Sequence, residues 1–298
     1  MMVIKKKFDF TLYSSKFLRY LKRKNYSDET LKGYNKDLLK FAKYLNGLYE
    51  GSILTQDISK NDILDYLDYL REDKMYKVNS VSRNLSTLKS FFKFLVYELD
   101  FKDNPAEKIR TPKSYIPLPQ VLDVDEIKCL LDHAKTHSMF YYTLISLIYF
   151  TGTRITAART LKKENIDFRN ETLYFPYIKG GRDLYLPLHP KLSTVLRELL
   201  EYTQQNGSEY VFQSPKFINR PISAADVRHN LRKVAKAAGI KKRVTAHILR
   251  HSVATHLTLL GVDQTYIAAI LGHVDLRSTK RYQHLQVDNL RNAVEKLT

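Results

Sequence analysis

His247-Ile248-Leu249-Arg250-His251, then His256, then Leu271-Gly272-His273, then Ser278-Thr279-Lys280-Arg281-Tyr282 form the stretch that the rest of the chain serves. Between Thr245 and Leu260 apolar residues recur at helical spacing, which predicts a helix with His247, Arg250 and His251 on neighbouring positions of one turn. Two imidazoles and a guanidinium meet there. His247 and His251 have the spacing of a zinc pair, but the glutamate of an HExxH motif is missing and Arg250 sets a positive charge beside any cation. A structural helix explains any one of these histidines, though not their company with His273 and Tyr282. A phenol with a pKa of about 10 attacks poorly unless positive groups stabilise its anion. Arginines and histidines suit a phosphodiester, whose non-bridging oxygens carry the charge.

The whole chain bounds this reading. Its 298 residues leave room for two domains, and 49 lysines and arginines against 31 acidic residues leave a formal charge of +18. Such an excess calls for a polyanionic partner, nucleic acid first and an anionic membrane surface second. The apolar run Tyr141 to Phe150 is about half of the roughly 20 residues a spanning helix needs, so it reads as a buried core helix. The N-terminus carries lysines with no apolar segment behind them, and the one cysteine, Cys129, sits among Ile127, Leu130 and Leu131. Both features suit a reducing cytoplasm, with no membrane partner.

Four amphipathic segments fill the first hundred residues: Phe8 to Lys24, Ser27 to Leu45, a third opened by the capping pattern Ser59-Lys60-Asn61-Asp62, and Asn79 to Leu99. They predict a compact all-helical domain over residues 1–102. Basic stripes lie on the second and fourth segments: Lys36, Lys40 and Lys43 on one, Ser86, Lys89 and Lys93 with Arg83 on the other. Lys241, Lys242 and Arg243 add a third basic group. These ten residues are the candidate DNA contacts, lysines mainly on phosphate. Pro105, Pro112, Pro117 and Pro119 break the pattern and mark residues 103–122 as an extended linker.

Helices follow at Asp125 to Ala134 and Met139 to Phe150, the second running into Thr151-Gly152-Thr153-Arg154-Ile155. Ile166 to Phe168 and Thr172 to Phe175 read as a hairpin, and Asp183 to Leu188 as a further strand, with Lys179 before Gly180-Gly181 in the turn between them. Lys191 to Tyr202 and Ala224 to Ala238 are helices again, and residues 286–298 form an amphipathic tail. The fold class is mainly α with a small β-sheet, an α+β arrangement whose second domain spans 123–298.

The His-x-x-Arg pattern, the Leu-Gly-His segment and the nine residues from that histidine to a tyrosine resemble the tyrosine recombinases of the Xer and phage-integrase family. The segments Asn79 to Phe92 and Asn104 to Lys113 resemble that family's core-binding domain and interdomain strap. The resemblance implies a two-domain, C-shaped clamp on DNA. It further implies that Tyr282 is the nucleophile and that Arg154, matching the family's Thr-Gly-x-Arg-Ile segment, joins Arg250 and His273 on the scissile phosphate. Lys179 then protonates the leaving 5′ oxygen, and His247 assists proton movement. It implies no ATP, cofactor or metal. The partners it implies are duplex DNA with an inverted-repeat core, four protomers on two sites linked by exchanged tails, and room for an accessory protein. One departure stands out: the family carries an acid three residues after its first arginine, where this chain has Ala157, with Glu164 as a candidate substitute. A catalytically weakened DNA-binding regulator and a type IB topoisomerase-like enzyme are the alternatives.

Overall fold

The structure, a computed structural model, describes residues 9–50, 53–112, 120–178, 182–203, 207–272 and 294–297. The chain divides into two compact units, Met1–Pro117 and Leu118–Thr298.

The first unit holds α1 (Phe10–Arg23), α2 (Asp28–Tyr49), α3 (Lys60–Glu72) and α4 (Val78–Leu99). Local chemistry sets two of their starts. Ser27 caps α2 by accepting the Thr30 N–H, and Ser59 and Asp62 exchange side-chain and backbone bonds in a capping box at α3. The interior is aromatic: Phe10, Phe17, Phe41, Tyr66, Phe91 and Phe92 are at most 1% exposed. Phe10 meets Phe41 edge-on at 5.5 Å, and Phe17 meets Phe91 at 5.6 Å, the geometry that ring quadrupoles favour. The carboxylate of Asp37, 2% exposed, is buried with them. Asp37 of α2 accepts from Arg83 Nη2 at 2.7 Å and Thr87 Oγ1 at 3.2 Å, both on α4. These bonds join the two helices and meet the cost of burying the carboxylate.

The second unit is built around α6 (Met139–Thr151), buried without a break from Thr143 to Thr151. A helix apolar on every side needs neighbours on every side. They are α5 (Val124–His137), α8 (Pro190–Tyr202), α9 (Ala224–Ala237) and α10 (Ala246–Leu259). The short α7 (Ile155–Arg159) and α11 (Gln264–Leu271) complete the helices among the described residues. Strands β1 (Ile166–Asp167), β2 (Thr172–Ile178) and β3 (Arg182–Pro187) form an antiparallel sheet in the order β1-β2-β3, with a register shift between Phe175 and Ile178. Among the described residues no helix is long and apolar enough to cross a membrane. The expected α+β arrangement stands.

Most of the expected tail helix lies outside the described residues. Its described part packs in its own unit: Val294 and Leu297 are 1% and 2% exposed and share the core of α6 and α10. His189 holds this end. Its ring stacks on Phe150 at 4.2 Å, its Nδ1 accepts the Lys191 N–H at 3.1 Å, and it bonds the backbone of Leu297 and Glu295. Burial, helped by the charge of Lys191, pushes the His189 pKa below its ordinary 6.5, against the pull of those backbone bonds.

A pH dependence follows from that sign. The unfolded state binds the proton more readily, so His189 contributes full stability above about pH 6.5 and loses it as pH falls through the lower folded value. The melting temperature is expected to drop between pH 7 and pH 5, less steeply in His189→Gln. Equal slopes in the two proteins would show that His189 carries none of the effect.

Candidate active site

The first turn of α10 presents the site. Thr245 caps it by accepting the Ile248 N–H at 3.1 Å, which leaves His247 exposed in that turn. A helix start with free N–H groups favours an anion.

Arg250, one turn on, is only 6% exposed. Its Nη1 donates to the Gly152 carbonyl at 2.8 Å and its Nη2 to the Leu271 carbonyl at 2.6 Å. Gly152 is the left-handed cap of α6, and Leu271 is the last residue of α11. Carbonyls at helix ends lack intrahelical donors and carry partial negative charge, so one guanidinium serves two helix ends. The strands of chain it joins lead within two residues to Arg154 and His273. Arg250 is therefore a structural tie between the segments bearing the other phosphate-binding candidates.

Arg154 caps α7 in an extended conformation and stays partly exposed. Burial first, and the Arg154 charge second, bring the Arg250 pKa down to about 10, so it remains a cation near neutrality. Among the described residues no carboxylate pairs with either arginine. Two uncompensated guanidiniums at a helix start make a site for an anion with several oxygens.

Gly152 is required twice. Its φ is +60°, and a Cβ there falls 2.6 Å from Leu271 Cδ2. Gly152→Ala is expected to cost about 2 kcal/mol, from the left-handed backbone and the displaced leucine together. Urea unfolding of the full chain measures this; a loss below about 0.5 kcal/mol would mean that Leu271 moves aside freely.

His247 and His251 touch. Their Nε2 atoms are 3.0 Å apart and their rings cross at 74°. Burial, then the charges of His247 and Arg250, hold the His251 pKa below the usual range. Ala157 is partly buried against the unit's core, and Glu164, 72% exposed, pairs with Lys162 at 3.7 Å. The acid missing at position 157 is thus not supplied by Glu164.

Lys179, His273 and Tyr282 lie outside the described residues. Their described neighbours are Ile178, paired with Arg182 across the β2–β3 hairpin, and Gly272, the left-handed cap of α11.

The candidate DNA contacts divide. Lys36, Lys43, Lys93, Lys241 and Arg243 are exposed, and Lys89 is partly so. Ser86 is exposed but donates to the Ser82 carbonyl of its own helix at 2.9 Å. Arg83 and Lys40 lean on Asp37, Lys40 at 3.6 Å. Lys242 ties Asp123, Glu126 and the Val121 carbonyl together, with Glu126 at 2.5 Å. These three cations have partners inside their own units; only the Lys40–Asp37 pair, three residues apart on α2, is visible in the spacing.

Known proteins resemble the chain over both units. The model of the phage integrase family matches residues 120–289, and that of the phage integrase N-terminal SAM-like domain matches residues 15–98. A tyrosine recombinase of Pseudothermotoga lettingae is 32% identical over 285 residues, covering 95% of this chain and 96% of its own. The tyrosine recombinase XerC of Halalkalibacterium halodurans is 33% identical over 293 residues, covering 93% and 94%. The crystal structure of a lambda integrase tetramer bound to a Holliday junction shares the fold at a TM-score of 0.70 and 19% identity, covering 90% of this chain and 79% of that one.

Proposed function

The chain belongs to the phage integrase family, and from that premise we propose how its own residues carry out site-specific recombination of DNA. Arg154, Arg250 and His273 hold the non-bridging oxygens of the scissile phosphate and stabilise the charge that builds there. Tyr282 attacks phosphorus, forming a 3′-phosphotyrosyl bond as the bond to the 5′ oxygen breaks. Lys179 delivers a proton to that oxygen, and His247 assists removal of the tyrosine proton. The covalent link conserves the phosphodiester energy, so rejoining runs the same steps backwards with a 5′ hydroxyl as nucleophile.

The observation that supports this most is the anchoring of Arg250 on the Gly152 and Leu271 carbonyls. Among the described residues, two guanidiniums then stand without carboxylates beside the exposed His247. A structural arginine with no substrate to meet needs no second cation next to it.

The DNA partner is a duplex with an inverted-repeat core, bound by the helical unit over residues 1–102 and the catalytic unit over 123–298, joined by the linker 103–122. Two protomers occupy one core and four bring two cores together, exchanging strands through a Holliday junction. Tail segments pass to neighbouring protomers on assembly, leaving the His189 site they hold in the single chain. The work is cytoplasmic, on chromosomal or mobile-element DNA.

Covalent capture tests the proposal. The protein is mixed with fragmented DNA from its source, denatured with detergent, and the DNA that stays attached is sequenced. The expected result is one shared inverted-repeat core. Tight, salt-sensitive binding with no attached DNA would leave a binding protein and defeat the strand-cleavage reading.

A further inference from the structure

His251 sits beside the site with no part in the chemistry above, and its contact with His247 has a restrictive geometry. Two ring nitrogens 3.0 Å apart accommodate one proton between them, so one Nε2 donates and the other accepts. Two imidazoliums cannot share the contact, because both Nε2 atoms would bear hydrogens and the charges would repel.

The surroundings decide which ring donates. Arg250 precedes His251 on α10, and Arg154 adds its charge from the start of α7. The helices packed most extensively on α10 among the described residues, α6 and α11, carry only tyrosines as ionisable side chains, Tyr141, Tyr142 and Tyr149 on one and Tyr266 on the other. No described carboxylate therefore offsets the arginines at this pair. Charge is least favourable on the partly buried ring beside Arg250, which points to His251 as the acceptor and exposed His247 as the donor in this contact.

We propose that His251 is a positioning residue for strand cleavage: by accepting the His247 Nε2–H it fixes the tautomer and orientation of His247, leaving Nδ1 as the nitrogen that meets the reacting groups. A proton taken up by His247 then goes to Nδ1, and the resulting cation is stabilised through its Nε2–H on His251. The logic is that of a histidine held by a hydrogen-bonding partner, the partner acting on the ring and not on the substrate. The inference rests on the recombinase reading for its kinetic part, whereas the tautomer stands independently of it.

The test has two arms on the full chain. With 15N-labelled histidine, the ring spectrum of the unmodified protein at pH 8 is expected to show His247 protonated at Nε2 and bare at Nδ1, assigned by loss of the signal in His247→Gln. Protonation at Nδ1, or an even mixture of tautomers, would overturn the proposal whether or not the protein cuts DNA. Single-turnover cleavage of a nicked core-site substrate supplies the second arm. His251→Leu is expected to cut roughly 30-fold more slowly with unchanged DNA affinity, and to shift the acidic limb of the pH–rate profile to lower pH. His251→Gln, which keeps an acceptor, should recover most of that rate. Unchanged cleavage in His251→Leu, or equal loss in the leucine and glutamine variants, would reduce His251 to a packing residue. If the unmodified protein fails to cut, the recombinase reading fails, and the tautomer arm still decides the inference.

Discussion

Tyr282→Phe is expected to abolish covalent attachment of DNA, with the cleavage rate falling at least about 10^4-fold and duplex affinity changing by less than about two-fold. The substitution removes one oxygen and leaves the ring, so the positive charge of the chain is unaltered. What disappears is the atom that, in the proposed mechanism, forms the bond to phosphorus. The arginines and His247 are assigned other roles in that mechanism, stabilising charge and moving a proton. The measurement is a single-turnover reaction on a nicked core site, read as protein-linked DNA after denaturation. With 21 tyrosines in the chain, the adduct must also be located by peptide mapping. An adduct on another tyrosine, Tyr266 of α11 for instance, would show the nucleophile to be misassigned even if the variant lost activity.

Arg250→Lys is expected to lower cleavage roughly 10^3-fold and to destabilise the protein by about 3 kcal/mol. A conservative change in charge is a drastic one in geometry here. The guanidinium spreads two nitrogens onto carbonyls belonging to different helices, Gly152 at 2.8 Å and Leu271 at 2.6 Å. A lysine ammonium is a point charge on a shorter reach and cannot bridge both while facing a phosphate. One helix end then keeps a buried carbonyl without its donor, and the segments leading to Arg154 and His273 lose their common tie. Chemical denaturation and cleavage kinetics should therefore fail together. A lysine variant of normal stability that cuts slowly would confine Arg250 to the phosphate; one that is unstable but cuts normally when folded would confine it to the scaffold.

These two predictions draw on different sources. Tyr282 enters as the proposed nucleophile through the resemblance that its nine-residue spacing from Leu271-Gly272-His273 carries, and it lies outside the described residues. Arg250 was legible as a member of His-x-x-Arg, but its two carbonyl partners lie 98 and 21 residues away in sequence and left no trace in spacing. The start of α3 at Ser59 and the buried course of α6 were legible in the sequence as well. Both are written in neighbours three or four residues apart, where caps and turn-by-turn periodicity act. α7 escaped notice because its five residues, Ile155–Arg159, are too few to show a period.

The sequence by itself determined the fold class, the strands of the small sheet and the strong positive charge. Each depends on local hydrogen bonding or on residue types counted along the chain. Only the tertiary structure decided which cations are free. Lys36 and Lys242 look alike in sequence, yet Lys36 is exposed whereas Lys242 is bound to Asp123 and Glu126, more than a hundred positions earlier. It likewise assigned His251 to His247 and His189 to the tail end at Leu297. Charge and hydrogen-bond capacity belong to the residue, but their use depends on what the folded chain brings within about 3 Å, and that is set by long-range packing.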